Sequence, residues 1–125
     1  MVGVLVVSHS RRAAEGIVEV AAEMAGDVAI AGVGGDPDGG IGTSAPAIGE
    51  ALDGLDDDAV VVLVDLGSAV MNAEIAIESY DGEAIIADAP VLEGAVNCAV
   101  EAGSPKATLE SVREAAEAAG DVAKL

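Results

Sequence analysis

MVGVLVVSHSRRAAEG (residues 1–16) joins an apolar segment of strand length to the start of a helix, and the only histidine of the chain lies at the junction. Met1 to Val7 is continuously apolar, which predicts a strand buried on both faces. Ser10 is a suitable N-cap for a helix over about Arg11 to Ala25, because its hydroxyl can accept a hydrogen bond from a backbone N–H of the first turn. A strand-to-helix step with His9 at its turn is therefore the first unit of the predicted fold.

The alternation of strand and helix patterns continues along the rest of the chain. Three further apolar segments have strand length and are bounded by Gly-, Asp- or Ser-containing turns, and they lie at Val28–Val33, Ala59–Val64 and Glu83–Ala87. The remaining predicted helices cover Ala45–Leu55, a segment ending near Tyr80, Val91–Ala102 and Thr108–Ala119. The apolar face of the first helix consists of Ala14, Ile17, Val18, Ala21 and Met24.

This order of elements predicts an α/β fold. Strands that are apolar throughout and alternate with helices are typical of a parallel sheet covered by helices on both faces. We predict three layers, with a mainly parallel sheet of order 2-1-3-4 between two helical layers. The 125 residues match the usual size of one domain, so residues 1–125 are expected to form a single domain.

The composition of the chain excludes several classes of function. With 23 acidic and 5 basic residues, the formal net charge is −18, which argues against binding nucleic acid or an anionic membrane surface. No apolar run approaches the roughly 20 residues that span a bilayer, and the start of the chain lacks the features of a secretory signal. A soluble, cytoplasmic protein is expected. Cys98, the single cysteine, is read as a small buried apolar side chain and not as a reactive thiol.

The acidic surface predicts adaptation to concentrated salt. Hydrophobic residues make up 52% of the chain and occur in periodic blocks, so the chain is expected to fold despite its charge. Because the Debye length falls to about 3 Å at 1 M salt, repulsion between surface carboxylates is largely screened there. We expect a halophilic source and a higher thermal unfolding midpoint in molar salt than in dilute buffer. Equal midpoints in the two buffers would contradict this interpretation.

The predicted strand order brings two polar segments together. In open parallel sheets, functional residues collect at the carboxyl ends of the strands, beside the point where the strand order reverses. In the order 2-1-3-4 this point lies between strands one and three. Ser8, His9 and Ser10 leave the first strand, and residues 65–68 (DLGS) leave the third. We therefore expect His9 and Asp65 to lie close to each other.

The residues around His9 and Asp65 suit the transfer of a phosphoryl group. An imidazole, with a reference pKa near 6.5, is a competent nucleophile at neutral pH, and a carboxylate that holds one ring N–H leaves the other nitrogen free to attack. The two helix starts after Ser10 and at Gly67 present backbone N–H groups that favour anions, and residues 42–44 can add a third group of donors. Arg11 and Arg12 place two of the five cations of the chain beside the histidine.

Each of these residues also has a purely structural interpretation. His9 can be a capping or solvated residue, Asp65 can cap the helix that follows it, and the two arginines can belong to an exposed first turn. The GGDPDGG segment (residues 34–40) is better explained as a tight turn than as a nucleotide or calcium loop, since it lacks the spacing of either. Met71 and Asn72 are read as residues of a helix face, although Asn72 is near enough in sequence to reach the pocket.

Three alternative chemistries fit the sequence less well. One histidine and one distant cysteine provide no ligand cluster, so no metal site is expected. A G-x-S-x-G elbow, which a serine hydrolase of this fold class would need, is absent. A phosphate-receiver domain shares the sheet order, but the first strand ends here in VSHS (residues 7–10) and lacks the acidic pair that would hold magnesium. Histidine is therefore the expected phosphoryl acceptor.

Four ordered motifs resemble one known family. They are VLVVSHSRRAAEG (4–16), GIGTS (40–44), LVDLGSAVMNAE (63–74) and DAPVLEGA (88–95). Together they resemble the phosphotransferase subunit of the phosphoenolpyruvate-dependent dihydroxyacetone kinase, whose fold is similar to the IIA domain of the mannose-type sugar phosphotransferase system. The resemblance extends from Met1 to about Ala119.

The resemblance implies a phosphohistidine relay and an enzyme subunit, phosphoenolpyruvate–glycerone phosphotransferase. An HPr-type phosphocarrier protein would donate to His9, and His9 would pass the group to ADP held in the nucleotide-binding kinase subunit, while another subunit presents dihydroxyacetone. The chain itself would bind no cofactor, and a cytoplasmic homodimer is implied. By the motif match His9 is the acceptor and Asp65 orients its ring. The residues expected to bind the phosphoryl group are Ser10, Arg11, Thr43, Gly67 and Ser68.

Two other functions are compatible with the same fold. One is a non-catalytic regulatory or binding module that responds to its own phosphorylation state. The other is a IIA component that serves sugar transport, which the DLGSA (65–69) and GIGTS (40–44) motifs make the weaker choice. In the relay, the ring nitrogen that faces away from Asp65 is predicted to carry the phosphoryl group, because two anions would otherwise repel each other.

Overall fold

A computed structural model describes all residues from Met1 to Leu125. The chain forms four strands and five α-helices, which alternate over most of its length. The strands are β1 (Val2–Ser8), β2 (Ile30–Gly34), β3 (Ala59–Val64) and β4 (Glu83–Ile86). The helices are α1 (Arg11–Ala22), α2 (Ala45–Gly54), α3 (Val70–Glu78), α4 (Val91–Ala102) and α5 (Leu109–Ala118). Short 3₁₀ turns cover Gly67–Ala69, directly before α3, and Ala119–Asp121, directly after α5.

The four strands form one parallel sheet of order β2-β1-β3-β4. This confirms the predicted α/β class and the order 2-1-3-4. In the register between the two central strands, Val7 at the end of β1 pairs with Val64 at the end of β3. The turns after these strands therefore begin at the same edge of the sheet. No helix has the length and apolar character needed to cross a membrane.

Alternating side chains of the central strands build two apolar cores, one on each face of the sheet. Val4, Val6 and Leu63 face the layer formed by α1, α4 and α5. Leu5 and Val62 face the layer formed by α2 and α3. All seven residues of β1 are buried, as expected for a central strand covered on both faces. The helices contribute mostly alanine to these cores, which lets them approach the sheet closely in a chain with almost no aromatic residues.

Two sequence predictions about the periphery of the fold are wrong. α1 ends at Ala22 and not at Ala25, and the chain turns through Gly26, which has a φ of +57°. Met24 therefore leaves the helix face and is 55% exposed. The apolar pattern of Val28–Val33 predicts a buried strand, but every residue of Ile30–Gly34 is partly or fully exposed because β2 is an edge strand.

Cys98 lies on the buried face of α4, and its Sγ is 3.9 Å from the carbonyl oxygen of Val112. Burial raises the pKa of this thiol to about 12. We therefore expect the native protein to resist an aromatic disulfide reagent at pH 8, with a rate at least about a thousandfold below that of the unfolded chain, because the thiolate is the reacting form. Labelling of native and denaturant-unfolded protein at equal rates would contradict the burial of Cys98.

Candidate functional site

His9 and Asp65 meet where the turns after β1 and β3 leave the sheet. The ring Nδ1 of His9 lies 2.9 Å from Oδ1 of Asp65, and the backbone N–H of His9 donates to Oδ2 at 2.9 Å. An ionised carboxylate only accepts hydrogen bonds, so this contact assigns the ring hydrogen to Nδ1. The side chains are 20% and 21% exposed, which places the pair at the surface of the sheet edge.

The Asp65 carboxylate is also held by its other neighbours. Ser8 Oγ donates to Oδ2 at 2.9 Å, and the backbone N–H of Leu66 donates to Oδ1 at 2.8 Å. Burial by itself raises the pKa of Asp65, but the hydrogen bonds from His9, Ser8 and Leu66 lower it by more, so the pKa lies below its ordinary value. Asp65 is therefore anionic at neutral pH and fixed in orientation.

The lowered pKa predicts how Asp65 contributes to stability as the pH changes. A carboxyl group whose pKa is depressed in the folded state stabilises the protein above the unfolded pKa of about 3.9, and that contribution is lost as the pH falls through the folded pKa. We expect the difference in unfolding free energy between wild type and Asp65→Asn to be constant above about pH 5. Below that pH the difference should shift against the wild type.

Denaturant titrations at several pH values measure this difference. Asp121→Asn, which changes an exposed carboxylate near the end of the chain, is the matched control. A difference that does not vary between about pH 5 and pH 2 would show that the contacts of Asp65 do not favour its ionised form.

The second ring nitrogen of His9 faces Ser68. Its Nε2 lies 2.9 Å from Ser68 Oγ, and Ser68 is exposed on the 3₁₀ turn Gly67–Ala69. With the ring hydrogen on Nδ1, Nε2 carries the lone pair and accepts this hydrogen bond. The nucleophilic nitrogen is thus the one directed away from the carboxylate, and its partner is a small hydroxyl at the surface.

The loop with the GIGTS motif is hydrogen-bonded to the histidine turn and to α3. The backbone N–H of Gly42 donates to the carbonyl oxygen of His9 at 2.8 Å. The side-chain amide of Asn72, on α3, donates to Thr43 Oγ1 at 2.8 Å and to the Thr43 carbonyl oxygen at 3.3 Å. Asn72 therefore links the loop that contains Thr43 to α3.

A glycine on the neighbouring strand lets the histidine turn lie against the sheet. A Cβ atom at Gly34 would be 2.6 Å from the carbonyl oxygen of Ser8 and 2.7 Å from that of Ser10. Both are backbone atoms, so neither can rotate out of the way. The end of β2 thus forms one wall of the turn that carries His9.

Two residues predicted to bind a phosphoryl group make other contacts. Ser10 Oγ accepts a hydrogen bond from the backbone N–H of Ala13 at 3.2 Å and caps α1. The Nε atom of Arg11 lies 3.8 Å from Glu15 Oε1, on a side chain that is 74% exposed. Neither side chain forms a hydrogen bond with the His9 ring, whereas that of Ser68 does.

Ser8 also belongs to this group of residues, although its position in the sequence predicted no role for its side chain. It is only 1% exposed, and its hydroxyl links the carboxylate of Asp65 to the backbone N–H of Ser10 at 3.1 Å. The available signal was a polar residue at the end of an otherwise apolar strand. A buried hydroxyl needs a hydrogen-bond partner, and the facing turn provides one.

The sheet order and the contact between His9 and Asp65 suit a protein that carries a group on a histidine, and comparison with known sequences identifies the family. Residues 3–113 match the sequence model of the EIIA-man family, described as the PTS system fructose IIA component. The phosphoryl donor subunit DhaM of a PEP-dependent dihydroxyacetone kinase from Listeria innocua is 42% identical over 99 residues, which cover 79% of this chain and 80% of that one. The DhaM phosphotransferase subunit from Lactococcus lactis is 35% identical, with 92% and 93% covered.

The chain therefore belongs to the EIIA-man family, and its relatives there include DhaM subunits. The Escherichia coli DhaM is 38% identical over 113 residues, but these make up only 24% of that longer protein. Among solved structures, a protein of unknown function has a TM-score of 0.80 at 31% identity, with 93% of this chain and 92% of that one covered. The phosphotransferase system component EIIA of Streptococcus agalactiae has a TM-score of 0.67 at 19% identity, covers 98% and 97%, and shows the shared fold.

Proposed function

We propose that the chain is the phosphohistidine carrier of a dihydroxyacetone kinase. It would accept a phosphoryl group on Nε2 of His9 from an HPr-type phosphocarrier protein and pass it to ADP bound in a nucleotide-binding kinase subunit. The relay would operate in the cytoplasm with the carrier as a homodimer, and a further subunit would bind dihydroxyacetone. The similarity to DhaM subunits supports the kinase assignment, and the geometry of His9 supports the carrier role.

The two half-reactions each exchange one bond to phosphorus. In the first, the lone pair of Nε2 forms a bond to phosphorus while the bond between phosphorus and the donor nitrogen breaks. In the second, a terminal phosphate oxygen of ADP attacks, and the bond to Nε2 breaks with its electron pair returning to the ring. The hydrogen on Nδ1 stays in contact with Asp65 throughout, so no proton has to leave the site.

The contact of 2.9 Å between Nδ1 and Asp65 is the observation that carries this proposal. It selects the ring form in which Nε2 is nucleophilic, and it stabilises the positive charge that the ring gains when Nε2 bonds to phosphorus. Because Asp65 lies on the opposite side of the ring, its negative charge stays away from the incoming phosphoryl group. Ser68 Oγ, now at Nε2, is placed to donate a hydrogen bond to a phosphoryl oxygen.

The proposal is tested by loading the chain and then unloading it. Wild type is incubated with phosphoenolpyruvate, enzyme I and HPr in high salt, and intact mass spectrometry measures the phosphoryl adduct before and after mild acid. The kinase subunit with bound ADP is then added. We expect an acid-labile adduct that is discharged rapidly to ADP. An adduct that ADP does not discharge would favour the regulatory or transport function instead, and no adduct on folded protein would contradict the carrier role.

A further inference from the structure

Asn72 on α3 is hydrogen-bonded to Thr43, in the loop that precedes α2. Its side-chain amide nitrogen lies 2.8 Å from Thr43 Oγ1 and 3.3 Å from the Thr43 carbonyl oxygen, across a sequence separation of 29 residues. The two residues belong to different elements, because Asn72 lies in the first turn of α3 and Thr43 lies in the loop that precedes α2. Both are partly buried. The contact therefore joins two walls of the site.

The direction of this hydrogen bond determines the state of the Thr43 hydroxyl. An amide NH₂ group only donates, so Oγ1 is the acceptor, and the hydroxyl hydrogen of Thr43 remains available for another partner. The adjacent residue Gly42 is fixed to the His9 carbonyl oxygen at 2.8 Å. Thr43 thus lies in a loop that is hydrogen-bonded both to the histidine turn and to α3.

We propose that Asn72 is a positioning residue for phosphoryl transfer, which holds Thr43 so that its free hydroxyl hydrogen points to the phosphoryl group on His9. This inference rests on the proposed carrier function. A phosphoryl group on Nε2 has three charged oxygens, and hydrogen bonds to such oxygens are stronger than those between neutral groups. The two cations nearest in sequence form no hydrogen bond with His9, since Arg11 lies 3.8 Å from Glu15 and Arg12 is exposed. Beside the backbone N–H groups of the two helix starts, the hydroxyls of Ser68 and Thr43 are the donors that this arrangement offers.

The experiment compares four variants with wild type, namely Asn72→Ala, Thr43→Val, the double variant and Thr43→Ser. Each is phosphorylated on His9 with phosphoramidate, a small donor that needs no protein partner, and the lifetime of the phosphohistidine is measured by intact mass. The same samples are then mixed with the kinase subunit and ADP to measure kcat and KM of transfer. Glu74→Ala, an exposed change on the same helix, is the control, and circular dichroism checks the fold.

We expect Thr43→Val and Asn72→Ala each to lower kcat by roughly tenfold, the effect of one hydrogen bond to a charged group, with KM for the kinase subunit little changed. The double variant should be no slower than Thr43→Val alone, because Asn72 acts through Thr43. Thr43→Ser should retain most of the rate, since it keeps the hydroxyl. A shift in phosphohistidine lifetime should accompany the loss of rate in the same three variants.

Two results would overturn the inference. One is an Asn72→Ala protein with wild-type kcat and phosphohistidine lifetime. The other is a double variant whose loss is the product of the two single losses, which would show that the residues act independently. Failure of the carrier function would be seen separately, because wild type itself would then hold no transferable phosphoryl group.

Discussion

The His9→Gln variant is expected to lose phosphoryl acceptance completely, with a rate at least about 10⁴-fold below that of wild type. A glutamine amide nitrogen can still donate to Asp65, so the turn after β1 should keep its geometry. The amide, however, has no nucleophilic nitrogen lone pair to attack phosphorus. His9→Ala should be equally inactive, but it also removes the contact with the carboxylate. Comparing the two separates the loss of the nucleophile from the loss of the contact.

Quantitative intact mass after incubation with phosphoenolpyruvate, enzyme I and HPr measures this effect. His9 is the only histidine of the chain, so no second phosphohistidine can form. Glu74→Ala, an exposed change on α3, serves as the control and should accept the group normally. An acid-labile adduct on His9→Gln would refute the assignment of the acceptor.

The Asp65→Asn variant is expected to transfer the phosphoryl group roughly 10²- to 10⁴-fold more slowly than wild type. Asparagine presents one oxygen and one NH₂ group in place of two acceptor oxygens. The NH₂ group of asparagine then faces one of the N–H groups of His9, and two donors cannot form a hydrogen bond. The ring hydrogen is therefore no longer held on Nδ1. Nε2 becomes protonated in part of the population and cannot attack. Asp65→Ala should be slowed as well, while its fold remains intact because Asp65 belongs to neither apolar core.

Rapid-quench kinetics of transfer from HPr measure the loss, and ¹⁵N chemical shifts of the His9 ring report its tautomer. Asp88→Asn is the matched control, since Asp88 is an exposed carboxylate at the end of β4, on the same edge of the sheet. It is expected to stay within about twofold of wild type. Unchanged transfer in both Asp65 variants would remove Asp65 from the mechanism.

Most of the fold could be predicted because burial on both faces leaves a clear pattern in the sequence. β1 and β3 are apolar at nearly every position, and the turn after β1 contains Ser10, which caps α1 as predicted. The end of α1 was less predictable, since alanine and glutamate continue the helical pattern to Ala25 although the chain already turns at Gly26. The exposure of β2 follows from its place at the sheet edge, which the apolar pattern does not reveal.

The contact between His9 and Asp65 could be predicted because strand order determines which turns are neighbours. Side-chain directions within the site could not be predicted in the same way. Arg11 follows the histidine closely in sequence, but the helical periodicity pairs it with Glu15, one turn further along. Ser8 was not selected because the direction of its hydroxyl depends on the facing turn, which contributes Asp65 from 57 residues away.

The close approach of backbone atoms to Gly34 also limits which residues can replace this glycine during evolution. The backbone oxygens of Ser8 and Ser10 occupy the space into which any larger residue would extend. A lineage that acquires alanine or serine at this position must first displace the histidine turn, and the displacement would disturb the contact with Asp65. Glycine at position 34 is therefore expected in relatives that keep the histidine turn in this place. We expect descendants that have abandoned phosphoryl transfer to be the ones free to replace it.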